Sequence, residues 1–511
     1  MLARARLSGP PLLGMMLLFG CAVGPNFHRP AAPHDAGYAP APLPEASASA
    51  PVHGGETQHL IPGGDLSFEW WRGFGSPALD TLVERAFKAN PTVPAAAAAL
   101  RQAQEIVSAQ RGFFFPTFDA VYQGERHKVS GNTENSETPG VQASGTNLLP
   151  HQDATGNPVP APVYYTFHTV ELTVGFVPDV FGGNRRQVES LAAQAEMQRF
   201  TVEATYVTLA SNIVAAAIQE ASVRAQIEAT RQIIAADSQS VQILREQFRL
   251  GYAMRIDVAA EEAALAQVET TLPPLQKQLE QTRDLIRALA GSLPNEEIEP
   301  FQLDALTLPA ELPVSLPSKI IEQRPDVRAA EAQLHAANAQ VGAAVAAMLP
   351  QFSITGVYGG NATQLSQVFS SGGPFWSLFA NATQPLFHGG TLLHQKRAAD
   401  RALLEAGAQY RTTVISAYQN VADALHASLA DADELSADVE AEEAAKVTFD
   451  LTRRQMDAGY ANYLALLSAT ATYQQALLTR VQAQAVRYGD TVALFQALGG
   501  GWWNRNELAA R

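Results

Sequence analysis

The chain has 511 residues, 47% hydrophobic and only 17% charged, with a formal net charge of -15. Such a composition suits a folded chain rather than a disordered one. The acidic balance argues against a nucleic-acid partner, which needs a basic face, and a single cysteine rules out an intrachain disulfide.

The first residues read as a targeting segment. Arg4 and Arg6 form a basic start, Leu12 to Phe19 a short apolar core, and Leu18-Phe19-Gly20 set a small residue before Cys21. Residues 1–20 then resemble a lipoprotein signal, with Cys21 as the acylated first residue of the mature protein; a free cysteine after an ordinary signal peptide is the alternative. The apolar core is too short to span a bilayer as a helix. Residues 21–66, rich in Pro, Ala and Gly, are expected to form an extended tether rather than part of a core. His28, His34, His53 and His59 lie in it without metal-ligand spacing.

From Trp70-Trp71-Arg72-Gly73-Phe74-Gly75 the chain enters a helix expected over 78–112. Strand signals follow Pro116, first over Thr117 to Glu125 and then over Thr166 to Phe176. In the second run Val170, Leu172, Val174 and Phe176 alternate with Thr169, Glu171, Thr173 and Gly175, a period-two pattern. One face suits lipid and the other water, and about ten alternating residues suffice for a tilted strand to cross a bilayer. A half-buried soluble sheet shows the same alternation. Between these strands lies a polar loop of about forty residues, far longer than a hairpin needs.

This plan is written twice. Pro91 pairs with Pro325, Leu100 with Leu334, Pro116 with Pro350 and Phe118 with Phe352, all without a gap. Prolines at the same spacing are informative because each fixes φ and removes a backbone donor. The second copy repeats the strands over Phe352 to Gly359 and Phe375 to Gln384. Each strand pair then meets a matching joint, Pro178-Asp179-Val180-Phe181-Gly182-Gly183 in one copy and Pro385-Leu386-Phe387-His388-Gly389-Gly390 in the other.

A long proline-free stretch follows each joint, ending before Gly251-Tyr252-Ala253 and Gly459-Tyr460-Ala461. Each would be a helix of about 65 residues, on the order of 100 Å long, and therefore a coiled-coil rod. The apolar seam Ala195, Val202, Leu209, Ala216, Val223, Thr230 and Leu244, joined by Val188, Leu191 and Val241, mostly holds a spacing near 3.5. Glycine at the turn can take the left-handed C′ conformation. Returning helices run from about Arg255 to Gly291, interrupted at Pro273-Pro274, and from Tyr463 to Gly499.

The domain plan is therefore a signal over 1–20, a lipid-anchored segment over 21–66, a first repeat over 67–291, a linker over 292–322, a second repeat over 323–499 and a tail over 500–511. Four strands cannot close a barrel around a lumen, and an open edge is not tolerated in lipid, so several protomers must share one wall. The expected fold is mainly α with membrane β.

At this point a family resemblance becomes specific. The Cys21 to Pro30 segment, Trp70-Trp71 before Phe74-Gly75, Asp179-Val180-Phe181-Gly182, Arg324-Pro325-Asp326-Val327-Arg328-Ala329-Ala330-Glu331 and Leu498-Gly499-Gly500-Gly501-Trp502 resemble the TolC-like outer membrane factors of tripartite RND efflux systems, in their lipoprotein, NodT-type branch. The resemblance implies a homotrimer with a 12-stranded transmembrane β-barrel, a periplasmic coiled-coil α-barrel and an equatorial belt. It implies a passive exit duct in the outer membrane for small molecules, antibiotics among them, with no catalysis and no cofactor. A periplasmic adaptor (membrane fusion) protein would dock at the helical tips, and an inner-membrane RND-type transporter would supply the energy.

Candidate residues follow. The tip set is Arg245, Gly251, Tyr252, Arg453, Gly459 and Tyr460, with capping of their own helices as the alternative role of the arginines. The resemblance implies a periplasmic gate near Asp257 and Ser468, where relatives commonly carry an acid at the second position; Asp257 also suits the acidic start of a helix. The strand–helix joints are Pro116, Asp179, Gly182, Pro350 and Gly389. Val177-Pro178 stands where Trp-Glu often precedes the joint in similar proteins. Asp423 reads as a solvated helix residue. Trp376 suits an interfacial aromatic girdle. No phosphate loop, nucleophile elbow or zinc-spaced histidine pair occurs; His388 and His394 are too loosely spaced. The competing architecture is a lipid-anchored periplasmic coiled-coil adaptor or scaffold without membrane strands.

Overall fold

The structure, a computed structural model, describes residues 22–32, 37–129, 151–152, 158–159 and 163–505. Cys21, His34, most of the loop between the first two long strands and the end of the tail lie outside the described residues.

In chain order the elements are β1 (His59–Pro62), α1 (Pro77–Ala89), α2 (Thr92–Gly112), β2 (Thr117–Val129), the short β3 (His151–Gln152) and β4 (Pro158–Val159), then β5 (Val163–Phe176). The 67-residue α3 (Gly183–Arg249), α4 (Arg255–Glu269) and α5 (Leu272–Leu289) complete the first copy. There follow β6 (Glu311–Val314), α6 (Pro317–Gln323), α7 (Pro325–Ala346), β7 (Gln351–Ala362), β8 (Pro374–Thr383), the 67-residue α8 (Thr391–Asp457) and α9 (Tyr463–Ala497).

The helix expected over 78–112 is two helices. Asn90 stands before Pro91 and takes an extended ψ of 124°, because a proline disfavours the α conformation in the residue before it. Arg324, before Pro325, does the same with ψ 123°. The two residues perform one task. Asn90 Nδ2 donates to Leu289 O at 2.8 Å, and Arg324 Nη1 donates to Ala497 O at 3.1 Å. Each satisfies a terminal carbonyl of the returning helix of its own copy, a group with no partner inside that helix. Arg324 is itself held by two bonds to the Asp326 carboxylate, at 3.0 and 2.7 Å. The Arg-Pro-Asp motif is thus a helix-end clamp.

Two compact units emerge. The first gathers the described residues up to Phe27, Gln104–Ala192 and His335–Leu404. It contains an antiparallel sheet of four strands in the order β2-β5-β7-β8. The register brings Phe118, Val174, Gly356 and Leu378 into one row and Ala120, Leu172, Tyr358 and Trp376 into the next. That face is apolar yet uncovered: Phe118, Tyr122, Tyr358 and Leu378 are exposed, and Trp376 keeps 76% of its surface. The other face carries Asp119, Gln123, Thr169, Glu171, Thr173, Thr355, Asn361 and Ser377, interrupted by Val121, Val357, Phe375 and Phe379. In a soluble sheet the apolar face would be the buried one, so this arrangement speaks for a lipid-facing sheet. Among the described residues β2 and β8 each pair along one edge only.

The second unit comprises His28–Ala103, Ala193–Leu334 and Glu405–Arg511, described as far as Arg505. Its core collects Trp70, Trp71 and Phe74 from a short 3-10 turn with Leu79, Ile213, Tyr488 and Phe495. Of the seam positions within it, Ala195, Leu209, Ala216, Val223, Thr230, Val241 and Leu244 are buried and Val202 is half-buried. An 18-residue window of α3 is apolar enough to cross a bilayer, but 61% of that window is buried inside the protein, as in a core helix.

The N-terminal segment departs from the expected free tether. Leu60 and Leu66 belong to the core of the second unit, and β1 pairs in parallel with β6. The reason is one side chain. Arg487, fully buried, donates to Gly54 O at 3.1 Å, Ser47 Oγ at 3.0 Å, Ala48 O at 3.3 Å and Glu56 O at 2.6 Å. A Pro/Ala/Gly-rich chain offers unpaired carbonyls, and a buried guanidinium with five donors binds them.

Candidate functional site

Both long helices end in the same way. Gly251 has φ +80° and Gly459 φ +78°. In the first, Tyr252 N donates to Gln247 O at 2.8 Å and Gly251 N to Phe248 O at 3.0 Å; in the second, Tyr460 N donates to Gln455 O at 2.8 Å and Gly459 N to Met456 O at 2.9 Å. These are paired Schellman motifs, with glycine at C′. Space around both glycines is open, so the requirement for glycine is one of backbone conformation, not of room. The turns present Tyr252 and Tyr460, 83% and 87% exposed, beside the exposed Leu250, Met254 and Ile256 in the first and Leu464 in the second.

The two tip arginines differ. Arg245 Nε and Nη2 reach Glu262 Oε1 on α4 at 3.0 and 2.8 Å, so this guanidinium ties the hairpin across its width instead of capping its own helix. Arg453 is exposed, and its side chain has no ion pair or hydrogen bond among the described residues. The position equivalent to Glu262 is Thr470, which offers no charge.

At the start of α4 Asp257 is half-buried, and its Oδ2 accepts from Met254 N at 3.1 Å. This is the helix-start role. Ser468 is exposed on α9 and lines an open groove with Asp438, Thr472 and Gln475. Asp423 is exposed on α8 and accepts from Gln419 Nε2 at 3.3 Å.

One turn beyond Asp257 begins a cluster that the sequence reading passed over. Asp237 of α3 is buried and accepts from Gln474 Nε2 of α9 at 3.0 and 3.2 Å. Glu261 of α4, also buried, is hydrogen-bonded to the Tyr463 hydroxyl. Burial pushes both carboxyls above the usual range, against the lowering effect of the bonds from Gln474 and Tyr463. A signal for Asp237 existed: it falls seven residues after Thr230 and seven before Leu244, a polar residue on the heptad seam.

The joints occupy the first unit. Asp179 caps α3, with Oδ1 accepting from Asn184 N and Oδ2 from Arg185 N, both at 2.9 Å. In the second copy Leu386 holds the equivalent position and is 91% exposed, next to Phe387 at 86%. Gly182 has φ +75°, and a Cβ there would meet Ala22 Cα at 2.5 Å. Gly389 also has a positive φ, +58°, in open space. Pro116 is exposed between α2 and β2, while Pro350 lines a cavity with Pro178, Asp179, Phe181 and Phe352.

The residues just after Cys21 are strapped onto this joint. Val23 N donates to Phe181 O at 3.1 Å. Arg186, 4% exposed, donates from Nε to Val23 O at 3.0 Å, from Nη2 to Asn26 Oδ1 at 2.8 Å and from Nη1 to Glu189 Oε2 at 2.8 Å. His335 bonds the other Glu189 oxygen at 2.9 Å and stacks on Phe27 with ring centres 4.4 Å apart. The carboxyl of Glu189 is held below its usual range; burial opposes this, and the bonds from His335 and Arg186 outweigh it.

Comparison with known proteins matches this geometry. Residues 82–292 and 316–500 fit the model of the outer membrane efflux protein family. The chain is 28% identical over 455 residues to the pyoverdine export outer membrane protein OpmQ of Pseudomonas aeruginosa, covering 87% of this chain and 89% of the relative. It is 25% identical over 499 residues to the solvent efflux pump outer membrane protein SrpC of Pseudomonas putida, covering 96% and 98%. Among solved structures, the outer-membrane channel OprN superposes with a TM-score of 0.79 at 26% identity, over 94% of this chain and all of that one. The Campylobacter jejuni CmeC outer membrane channel has the same fold, with a TM-score of 0.80 at 20% identity over 94% and 95%. Duplicated strands with an uncovered apolar face, 67-residue helices and a family model covering both copies lead to one conclusion: the chain belongs to the outer membrane efflux protein family.

Proposed function

We propose that three copies of this chain form the outer-membrane exit duct of a tripartite efflux pump, passing small molecules without catalysis. The observation that carries this reading is the sheet: four strands, two edges unpaired among the described residues and an apolar face open to the surroundings. Three such sheets joined edge to edge give a barrel of twelve strands, within the range found in outer membranes. The paired 67-residue helices continue as a periplasmic tube. A soluble lipid-anchored scaffold would leave the apolar face unexplained.

In this duct Cys21 carries the lipid anchor, a role supported by the docking of Ala22 and Val23 at the strand–helix joint. The tips receive a periplasmic adaptor through Tyr252, Tyr460 and the exposed Arg453, and an inner-membrane RND-type transporter drives export. Asp257 and Ser468 lie at the narrow end; with serine at the second position, threefold repetition builds a less charged ring. The repeats over 67–291 and 323–499 are the working halves, joined by the linker over 292–322.

Light scattering on protein extracted from separated inner and outer membranes, with the detergent contribution removed, tests the reading. It predicts a trimer from the outer membrane. A monomer that enters buffer once its lipid is removed would end the channel reading.

A further inference from the structure

The apolar face of the first hairpin continues into a strip of cations. On β2 the residues of that face are Phe118, Ala120 and Tyr122, and the same alternation next brings Gly124, Arg126 and Lys128, opposite His168, Thr166 and Tyr164 of β5. The two acids of β2, Asp119 and Glu125, fall on the other face, where His127 and Gln123 bond Glu125. Charge is thus sorted by side within one strand.

Arg126 and Lys128 are exposed, and neither has a carboxylate partner among the described residues. Lys128 Nζ stands 5.6 Å from the centre of the Tyr164 ring, and the Tyr122 hydroxyl lies 3.0 Å from His168 Nδ1. Pairing of β5 with β7 stops at His168 opposite Ala362, whereas pairing of β2 with β5 continues to Val129 opposite Val163. The cations therefore stand on a two-stranded extension.

Depth along the strands places them. From Phe352 to Gly360, which shares a row with Val170 and Tyr122, the strand rises about 27 Å, or about 20 Å of membrane thickness after the usual tilt. Arg126 lies four residues beyond Tyr122 and Lys128 six, which adds about 10 and 15 Å. An apolar band in such barrels is about 25 Å tall, so both cations emerge where headgroups begin. The opposite ends of these strands lead into α2 and α3, so this is the outer side.

We propose that Arg126 and Lys128, flanked by Tyr122 and Tyr164, form a site for the phosphate groups of a phosphorylated glycolipid in the outer leaflet. The guanidinium fork suits two phosphate oxygens, the ammonium adds a point charge, and the tyrosines sit at the boundary between acyl chains and headgroups. This proposal rests on the barrel reading above.

The test is flotation of the full detergent-extracted protein with phosphatidylcholine vesicles, followed by native mass spectrometry with three probes: bis-phosphorylated lipid A, the same lipid dephosphorylated, and inorganic phosphate. The wild type is expected to retain the phosphorylated lipid in preference to its dephosphorylated form, with little competition from inorganic phosphate. The double variant Arg126→Ser/Lys128→Ser, at two exposed positions, is expected to assemble normally and bind roughly ten- to thirtyfold more weakly. Equal retention of both lipids by the wild type, unchanged binding by the double variant, or full competition by inorganic phosphate overturns the headgroup site alone. Failure of the wild type to float overturns the barrel reading, and the site with it.

Discussion

Gly251 and Gly459 carry the sharpest prediction at the scale of single residues. Replacing Gly459 with Val imposes a left-handed backbone on a β-branched residue at a cost of about 1–2 kcal/mol, with no neighbour to clash against. Assembled protein should remain in the membrane while efflux is abolished, and Gly459→Asn, which tolerates that conformation, should restore it. Normal drug tolerance in the valine variant would remove the tip from the docking surface. Arg487 is a structural case. Arg487→Met removes one donor from each of four acceptors in residues 47–56 and is expected to cost about 3 kcal/mol, read as a lower melting temperature and faster proteolysis in that segment. Of these two, only the glycines were legible beforehand, because a turn glycine announces itself by repetition. A buried arginine whose partners are backbone carbonyls, some 430 positions earlier in the chain, leaves no local pattern.

Among elements, the long helices, the returning helices and the four long strands were readable from proline spacing, period-two alternation and the heptad seam. The break in 78–112 was missed although Pro91 signalled it, since the Ala-rich stretch after the proline dominated the pattern. The pairing of β1 with β6 joins four-residue runs far apart in sequence, which no local signal links. Packing of α8 on α9 yields a pH prediction. Asp490 of α9 is pushed up to about 8, first by burial and then by the hydrogen bond and charge of Asp431 on α8. A carboxyl raised in the folded state contributes stability that is fully present below its ordinary value and is lost as pH rises through about 8. Thermal unfolding followed from mildly acidic pH up to about 8 should therefore show this pair lowering the melting temperature, with its contribution levelling off above that, and Asp431→Asn should flatten the fall. An unchanged slope in the variant would assign the loss to other groups.

For the molecule as a whole, the duplication explains why two copies differ where their surroundings differ. Asp179 caps one joint while Leu386 exposes the other, and Arg245 is paired while Arg453, among the described residues, is not. In a trimer, such paired differences alternate around the axis, so each ring of six equivalent positions has threefold and not sixfold symmetry. An adaptor that recognises the exposed Arg453 would bind three tips strongly; Arg453→Glu should then weaken cross-linking to the adaptor more than Arg245→Glu, and equal losses would contradict the distinction. The N-terminal strap has a consequence in time as well as in space. Gly24 is received against Gly342, with a Cβ on Gly24 meeting Gly342 Cα at 2.4 Å, and Arg186 closes over the same residues. Gly24 is thus seated on a helix from the second copy, made more than three hundred residues later. During synthesis the strap can meet only its first-copy partners, Phe181 and Arg186, until α7 has been made, so a chain truncated before α7 is expected to hold these residues less firmly.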